Sequence, residues 1–461
     1  MYKQQISQYF DQHFDDILSS LKEIISIDST YQQPKENMPF GEGSAKALKW
    51  GAEFGKRLGM KVKNFDNYAI SMDFKEGEPA LAILSHLDVV PASNNWSYPP
   101  FDLTVDNDKL YGRGTIDDKG PSVAVLYAVK CIKDLGIPIK DNFRIIFGGN
   151  EEGGCEDIEY YEKLEPFPPK VFTPDGTFPV LNCEKGMVHL RFKGKSRLSS
   201  SRIKVKSLHG GNVINAIPDK AVCKCSGISA QEIKQTFIRL ESGCTVTAEE
   251  NADGVTFTVS GKSAHGSRPE WGCNAVTAII KLLAELECEK AAEISKLFPH
   301  GECSGKSAGM GFSDDYSGEM TCALTMLDFD NDTISGGIDI RFPIDKTYKE
   351  ISDIITQKLY KIGFEISEID GMEPHFVSEE SDFVKALLEV YEDVKGEKGY
   401  CIAEGGITYV HNTPGGVAFG AEFPGEQNNM HGDDEHISIE TFKYNLNMYA
   451  NAIIKICGEK L

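Results

Sequence analysis

Three apolar segments in the first third of the chain each end in polar residues of the kind that bind metals. They read LAILSHLDVVP, YGRGTIDDKGP and FRIIFGGNEEGG. Apolar runs bounded by turn signals predict buried strands near 81–86 and 143–149, and the segment near 120–135 has helical periodicity. The order strand, helix, strand indicates a parallel sheet with a right-handed crossover. Polar residues at the carboxyl ends of such strands predict a site at that edge.

After residue 186 the pattern changes to short segments in which apolar and polar residues alternate. MVHLRFKG, RIKVKSL, GVTFTVSG and GGIDIRFP are examples, and such alternation predicts antiparallel strands. The α/β character returns at about residue 381. We therefore predict an α/β catalytic domain with a mostly parallel sheet flanked by helices, formed by residues 1–186 and 381–461. Residues 187–380 are predicted to form an inserted α+β lid domain with an antiparallel sheet. Helical spacing of apolar residues predicts helices at 5–27, 43–59, 230–240, 273–290, 346–361, 381–394 and about 438–456.

Composition narrows the class of protein. The chain has 461 residues, of which 41% are hydrophobic and 26% charged, which is typical of a globular protein with more than one core. Its 48 Lys and Arg against 70 Asp and Glu give a net charge of −22, which argues against nucleic acid or an anionic membrane as a partner. No apolar run is long enough to span a membrane, and no secretory signal is evident. The 12 cysteines contain no CxxC pair, so we expect reduced thiols in a cytoplasmic protein.

The polar ends of the strands offer imidazole and carboxylates but no thiolate. This donor set suits Zn²⁺, Mn²⁺ or Co²⁺. It holds more carboxylates than one tetrahedral ion needs, so two metals are expected. His86 and Asp88 lie on the same side of a strand, and a metal-bound imidazole usually donates its other N–H to a carboxylate. Asp88 is therefore well placed to orient the ring of His86, although an isolated HxD sequence more often has only a structural role.

Two pairs of adjacent acids follow the other segments. Asp117 and Asp118 precede the predicted helix at 120, where a carboxylate can bridge two metals or cap the helix. Glu151 and Glu152 point in different directions, so one can bind metal while the other takes a proton from a bound water. A solvated acidic loop is the structural alternative for this second pair.

Four further candidates are weaker by themselves. Asp175, in TPDG, also suits a turn, and His431, in NNMHGDDEH, could be a surface histidine with His436 as its competitor. His265 and Arg341 lie in the insertion, where a loop histidine and an exposed arginine are the default expectations.

The ordered set of motifs resembles one known family. SHLDVVP, GRGTIDDKG, NEEGG, TPDG, GKSAHGSRPEWGCNAV, DIRFP and MHGDDE occur in that family's order from residue 85 to 435. They are similar to motifs of the co-catalytic metallopeptidases, which include carnosinases, aminoacylases, succinyl-diaminopimelate desuccinylases and peptidase V. WSYPPFD, the long insertion and FGAEFPGEQNNMH are most similar to the peptidase V type of dipeptidase.

The resemblance implies two divalent metal ions per chain, zinc first, with manganese or cobalt as alternatives. It implies hydrolysis of dipeptides by a metal-bridging water, with closure of the lid completing the site. The resemblance implies that His86 and Asp175 hold one metal, that Glu152 and His431 hold the other, and that Asp117 bridges both. It implies that Glu151 is the general base, that Asp88 orients His86 and that His265 donates to the oxyanion. It also implies that Asn215 and Arg341 anchor the substrate, with Arg341 on the terminal carboxylate, and that Gly405 and Gly406 line the pocket.

Other functions fit the same motifs. An N-acyl-amino-acid amidohydrolase or desuccinylase also cleaves an amide beside a free carboxylate. A non-catalytic metal-dependent binding protein would have lost the base or a ligand, and none is lost. Two GKS sequences lack the first Gly of a phosphate loop, since Thr256 and His300 stand there.

The substrate contacts and the assembly state are less well defined. A dipeptide amine needs an acidic partner, for which Asp118 is a candidate. The segment EGGITYVHN differs from the GGTYAR of many relatives: Ile407 is extra and the Arg is missing, with His411 as a candidate replacement. Relatives with small lids borrow a histidine across a dimer, whereas a long lid can supply it internally, so a monomer is expected.

Overall fold

The computed structural model describes residues 2–459. Its helices are α1 (Lys3–Gln12), α2 (Phe14–Ile25), α3 (Glu42–Arg57), α4 (Lys119–Asp134), α5 (Glu156–Glu162), α6 (Ala230–Ile238), α7 (Ala275–Glu285), α8 (Glu289–Leu297), α9 (Tyr348–Lys361), α10 (Asp382–Lys395) and α11 (Ile439–Cys457), with 3₁₀ turns at Pro269–Trp271 and Tyr409–Asn412. Its strands are β1 (Lys61–Phe65), β2 (Ala69–Asp73), β3 (Pro79–His86), β4 (Thr104–Asp106), β5 (Lys109–Tyr111), β6 (Asn142–Gly148), β7 (Val171–Thr173), β8 (Val180–Glu184), β9 (Gly186–Lys195), β10 (Lys204–Gly210), β11 (Ala216–Ile217), β12 (Lys220–Ser226), β13 (Thr245–Asn251), β14 (Gly254–Ser260), β15 (Ala264–His265), β16 (Ser313–Asp314), β17 (Gly318–Glu319), β18 (Thr321–Asp330), β19 (Thr333–Phe342), β20 (Glu365–Met372), β21 (His375–Phe376), β22 (Cys401–Glu404), β23 (Gly416–Ala418) and β24 (His436–Ser438).

The chain folds into two compact units. The first unit comprises Met1–Cys183, Phe376–Ile402 and Ile407–Leu461, and the second comprises Glu184–His375 and Ala403–Gly406. The short segment 403–406 thus belongs to the second unit, although it lies within the third predicted range. Among residues 2–459, no helix is long and apolar enough to cross a membrane.

The first unit is built on a sheet whose centre is parallel. Its strands follow the order β1-β2-β6-β3-β7-β23-β8, and the pairings from β6 through β23 are parallel while the outer pairings are antiparallel. Alternate residues of β3 enter two different cores, with Leu81 and Ile83 on one face and Ala82 and Leu84 on the other. Burial of both faces explains why the central strands are continuous apolar runs.

The second unit contains an antiparallel sheet of eight strands in the order β13-β14-β12-β10-β18-β19-β9-β20. Its core joins the inner face of this sheet to α6, α7, α8 and α9. The predicted fold class, a mostly parallel α/β sheet with a separate antiparallel sheet, is confirmed.

Two of the predicted helices are interrupted. The prediction of one helix over 5–27 is wrong because His13, at φ −106°, separates α1 from α2. The predicted helix 273–290 is likewise two helices, since Glu287 has a left-handed φ of +63° between α7 and α8. Apolar spacing continues through both breaks, so periodicity did not reveal them.

Candidate metal centre and active site

His86 lies at the carboxyl end of β3, in the middle of the parallel sheet, and is fully buried. Its Nδ1 is 3.1 Å from the carbonyl oxygen of Asp88. A carbonyl only accepts, so Nδ1 carries the proton and Nε2 is left with the lone pair. Nε2 lies 3.0 Å from Oδ1 of Asp117 and 3.7 Å from Oδ2 of Asp175. These electron-rich atoms face one another, an arrangement that a second proton or a cation must stabilise.

Asp117 connects two histidines. Oδ1 contacts Nε2 of His86, and Oδ2 lies 2.7 Å from Nε2 of His431. Burial alone would raise the pKa of Asp117, but hydrogen bonds from the rings of His431 and His86, when their Nε2 atoms are protonated, lower that pKa below its usual value. Asp117 is therefore ionised, with one oxygen directed to each imidazole, as a bridging ligand would be.

Asp88 does more than orient His86. Its Oδ1 is 3.4 Å from Nδ1 of His86, and its two oxygens accept the backbone N–H groups of Glu151 and Glu152 at 3.1 and 3.0 Å. Asp88 thus holds the histidine through its backbone carbonyl and holds the loop that carries the two glutamates through its carboxylate. The sequence pattern had indicated only the contact with His86.

The two glutamates occupy unfavourable environments for a negative charge. Desolvation raises the pKa of Glu151 well above its usual value, and nearby Asp175 and Glu152 add to the effect. Desolvation and the charge of Asp117 raise the pKa of Glu152 to about 7. Oε1 of Glu152 is buried without an aligned hydrogen-bond partner, although it lies 3.1 Å from Nε2 of His431.

The ligand atoms form two groups, each with its atoms within 4.8 Å of one another. One group is His86, Glu151 and Asp175, and the other is Asp117, Glu152 and His431. Nitrogen and carboxylate donors, several acidic groups close together and a buried Oε1 of Glu152 without an aligned hydrogen bond fit divalent cations. The residues present therefore fit the two predicted metals. Glu151 lies near enough to His86 and Asp175 to act as a ligand or as a base.

Glu435 holds the loop that presents Asp117, a role the sequence analysis missed. Oε1 accepts the N–H groups of Gly114 and Ile116 at 3.0 and 3.1 Å. Oε2 accepts a bond from Nη1 of Arg113 at 2.6 Å, and both charged side chains are buried. Both residues lie in quoted motifs, but the motifs gave no indication that they pair.

Tyr409 is a second missed residue. Its ring stands at 89° to that of His86, with centroids 6.0 Å apart. Its hydroxyl donates to Asp157, which also accepts the N–H of Asn150 at 2.7 Å. The atypical segment EGGITYVHN therefore places an aromatic ring against His86, and His411, in the same segment, is buried.

Two candidates that the sequence left open have other roles. Nε2 of His436 lies 2.9 Å from Nζ of Lys109, and its ring packs against Tyr111, so His431 and not His436 joins the ligand groups. Asp118 is fully buried and accepts the hydroxyl of Ser85. It stands at the N-cap position of α4 without a capping bond from its side chain. Its suggested role as a side-chain helix cap is therefore wrong, whereas its role as a partner for a substrate amine stays a prediction.

In the second unit, Arg341 is buried rather than exposed. Nε and Nη2 donate to the carboxylate of Asp339 at 2.8 and 3.2 Å, and Nη1 donates to the carbonyl of Gly405 at 2.9 Å. Burial would raise the pKa of Asp339, but Arg341 keeps it below its usual value. Asp339 was missed, although it precedes Arg341 by two positions on the same face of β19.

The other predicted substrate residues lie around this ion pair. The N–H of Gly266 donates to the carbonyl of Asn215 at 2.6 Å, and a Cβ on Gly266 would lie 2.1 Å from Oδ2 of Asp339. Any side chain at 266 would therefore displace the carboxylate. Gly405 packs against Ser267, and the adjacent Gly406 is half-buried.

His265, between Ala264 and Gly266, is exposed. Its Nδ1 accepts the N–H of Ser267 at 3.2 Å and lies 2.7 Å from the hydroxyl of Ser267. In the neutral imidazole the proton is therefore on Nε2, the tautomer that can donate to an oxyanion. The second unit thus contains five of the predicted residues, His265, Asn215, Arg341, Gly405 and Gly406, while the first unit contains the seven others.

Comparison with known proteins identifies the class. The model of peptidase family M20/M25/M40 matches residues 82–455. The Bacillus subtilis (strain 168) protein named "Putative dipeptidase YtjP" is 32% identical over 455 residues, covering 96% of this chain and 97% of that protein. The chain belongs to this peptidase family, and the resemblance predicted from its motifs is confirmed.

Solved structures share the fold. Human carnosine dipeptidase 1 has a TM-score of 0.61 at 16% identity, covering 99% of both chains. The dipeptidase Dug1p of Saccharomyces cerevisiae has a TM-score of 0.59 at 14% identity, covering 99% of this chain and 98% of that chain. At such identities the likeness shows the fold alone.

Proposed function

We propose that this protein hydrolyses dipeptides in a reaction that depends on two divalent cations, with Glu151 as the general base. The observation that carries this proposal is the pair of ligand groups whose histidines both contact Asp117. The proposed ligands are His86 and Asp175 for one cation and Glu152 and His431 for the other, with Asp117 shared. Zinc is the first candidate, with manganese or cobalt as alternatives. Such a pair of cations, when bound, polarises a carbonyl and makes a water acidic.

Glu151 suits a general base on physical grounds. Desolvation raises its pKa above that of an ordinary glutamate, and a base works best when its pKa approaches the working pH. Its backbone is fixed by Asp88, so the carboxylate can be aimed without further ordering. In this proposal Glu151 takes the proton of the attacking water and later passes it to the leaving amine.

His265 is proposed to stabilise the oxyanion. The bond from Ser267 to Nδ1 selects the tautomer that donates from Nε2. Preorganised donors of this kind contribute about 3 kcal/mol each to the stability of a transition state.

Arg341 is proposed to bind the carboxylate at the end of the substrate. A guanidinium has five N–H groups, and the bonds to Asp339 and Gly405 use three of them. The remaining two, one on each terminal nitrogen, can form the paired bonds that a carboxylate prefers. Asp339 fixes the plane of the guanidinium in advance.

Replacing Arg341 with Lys should lower kcat/KM for dipeptides by about 10–100-fold, because a lysine retains the charge but loses the fork. Dipeptide amides, which lack the carboxylate, should lose much less. Arg191→Lys, on the neighbouring strand β9, serves as the matched control. Equal losses for acids and amides would contradict a role in carboxylate binding.

The function itself is tested by removing bound metal and assaying a panel of dipeptides after adding Zn²⁺, Mn²⁺ or Co²⁺, with N-acetyl and N-succinyl amino acids alongside. We expect no cleavage without metal and restored cleavage of dipeptides with at least one ion. Cleavage of acyl substrates alone would favour an amidohydrolase. Metal binding without cleavage of either class would favour a binding protein.

A further inference from the structure

Two cysteines and a histidine converge at one place in the second unit, although they are far apart in sequence. Cys244 precedes β13, Cys273 precedes α7 and His300 follows α8. The two sulfur atoms are 2.8 Å apart. One ligand atom from each of the three side chains lies within 4.8 Å of the others. All three belong to the second unit, whereas the proposed catalytic ligands belong to the first.

The backbone around this cluster is fixed. Cys273 forms a two-bond antiparallel bridge with Lys262, with N–O distances of 2.8 and 3.0 Å. The carbonyl of Ser242 lies 2.7 Å from Nε2 of His300 and 3.4 Å from Sγ of Cys273. These bonds hold the donors in place before any ligand binds, which lowers the entropic cost of binding.

The hydrogen bonds of His300 also select its tautomer. A carbonyl only accepts, so Nε2 donates its proton to Ser242 and Nδ1 carries the lone pair. This pattern, with one ring nitrogen bonded to a backbone carbonyl, is common for metal-bound histidines. The hydroxyl of Thr277 lies 2.8 Å from Nδ1 and 3.2 Å from the carbonyl of Asn274. It can turn to that carbonyl when Nδ1 binds a cation, so no polar group is left unpaired.

The site has room for a fourth ligand. Cys273, Thr277 and His300 line a cavity of about 200 Å³. A cavity of this size holds water, which can complete a tetrahedral coordination sphere.

We propose that Cys244, Cys273 and His300 form a binding site for a thiophilic divalent cation such as Zn²⁺, separate from the catalytic centre. Each thiol releases its proton to solvent as its sulfur binds, and the two thiolates neutralise the charge of the cation. The sulfurs must separate to about 3.8 Å, since Zn–S bonds are about 2.3 Å long. A disulfide between the two cysteines would also use their proximity, and the second measurement below distinguishes it from a metal site.

Cobalt(II) titration of the full-length protein, reduced with a phosphine, tests this site. Sulfur-to-cobalt charge transfer gives a near-ultraviolet band that nitrogen and oxygen ligands cannot give, so the catalytic centre does not contribute to it. We expect the band in the native protein and in the control variant Cys303→Ser. Cys303 lines the same cavity but does not belong to the cluster. Cys244→Ser and His300→Ala should lose or strongly weaken it, and Zn²⁺ should abolish it by displacement.

A second measurement needs no variant. Zn²⁺ should slow alkylation of Cys244 and Cys273 by about tenfold, because a metal-bound thiolate is shielded, while Cys303 and Cys401 react as before. Absence of the band together with absence of protection would overturn the proposal. A loss of two hydrogens from the mass, with Cys244 linked to Cys273, and no band after reduction would also overturn it and identify a redox pair. Neither readout depends on peptidase activity.

Discussion

Replacing Glu151 with Gln is expected to reduce kcat by about 10²–10⁴-fold, the contribution typical of a positioned general base. The amide keeps the size of the side chain but cannot accept the proton of the attacking water. The bonds from Asp88 go to the backbone at 151 and 152, so the loop should keep its conformation. We expect the variant to bind two metal ions per chain, as measured by elemental analysis after desalting, while turnover of the best dipeptide falls.

The same measurement separates the two roles that geometry allows for Glu151. If Glu151 is a ligand in the group with His86 and Asp175, the variant should lose metal along with activity. The control variant is Glu156→Gln, because Glu156 is exposed and lies five residues from Glu151. It shows whether loss of one nearby negative charge is enough to change turnover. Turnover at the native level in Glu151→Gln would rule out both roles.

Replacing Glu435 with Leu is expected to destabilise the first unit by about 3–5 kcal/mol, the usual consequence of removing one partner of a buried ion pair. Arg113 would remain buried without its carboxylate, and the N–H groups of Gly114 and Ile116 would lose their acceptor. The loop that presents Asp117 should loosen, so metal affinity should also fall. Urea unfolding with a chelator present measures the first effect, and metal titration of the folded variant measures the second.

Two variants show which part of Glu435 matters. Glu435→Gln retains an acceptor without the charge and should be destabilised less than Glu435→Leu. Arg113→Met combined with Glu435→Leu removes the unpaired charge and should recover part of the loss. An unfolding free energy for Glu435→Leu within about 0.5 kcal/mol of the native value would mean that the buried pair has no structural role.

Local patterns predicted the elements at the centre of the fold. β3, β6 and α4 lie close to their predicted limits because their burial appears in the sequence as apolar runs or helical spacing. The two divided helices show the limit of that approach, since apolar periodicity persists through His13 and Glu287 while the backbone does not.

The site could be predicted only as far as motifs extend. His86, Glu151 and Glu152 close predicted strands, so their position at one sheet edge follows from topology. The pairing of Arg113 with Glu435 joins residues 322 positions apart, and that of Asp157 with Tyr409 joins residues 252 apart. Neither pairing produces a recognisable pattern in the local sequence. Arg341 is buried by tertiary packing, and the pattern of apolar and polar residues along β19 does not indicate that burial.

The order of strands in the first unit also limits when that unit can be completed during synthesis. β23 lies between β7 and β8 in the sheet, yet it is translated more than two hundred residues after them. His431 and Glu435 leave the ribosome later still. A nascent chain that already contains His86, Asp117, Glu151, Glu152 and Asp175 therefore still lacks the middle of its sheet, the support of the Asp117 loop and one histidine. The whole second unit apart from residues 403–406 is synthesised during that interval. His86 and the four acidic residues are therefore present in the nascent chain well before His431 is synthesised.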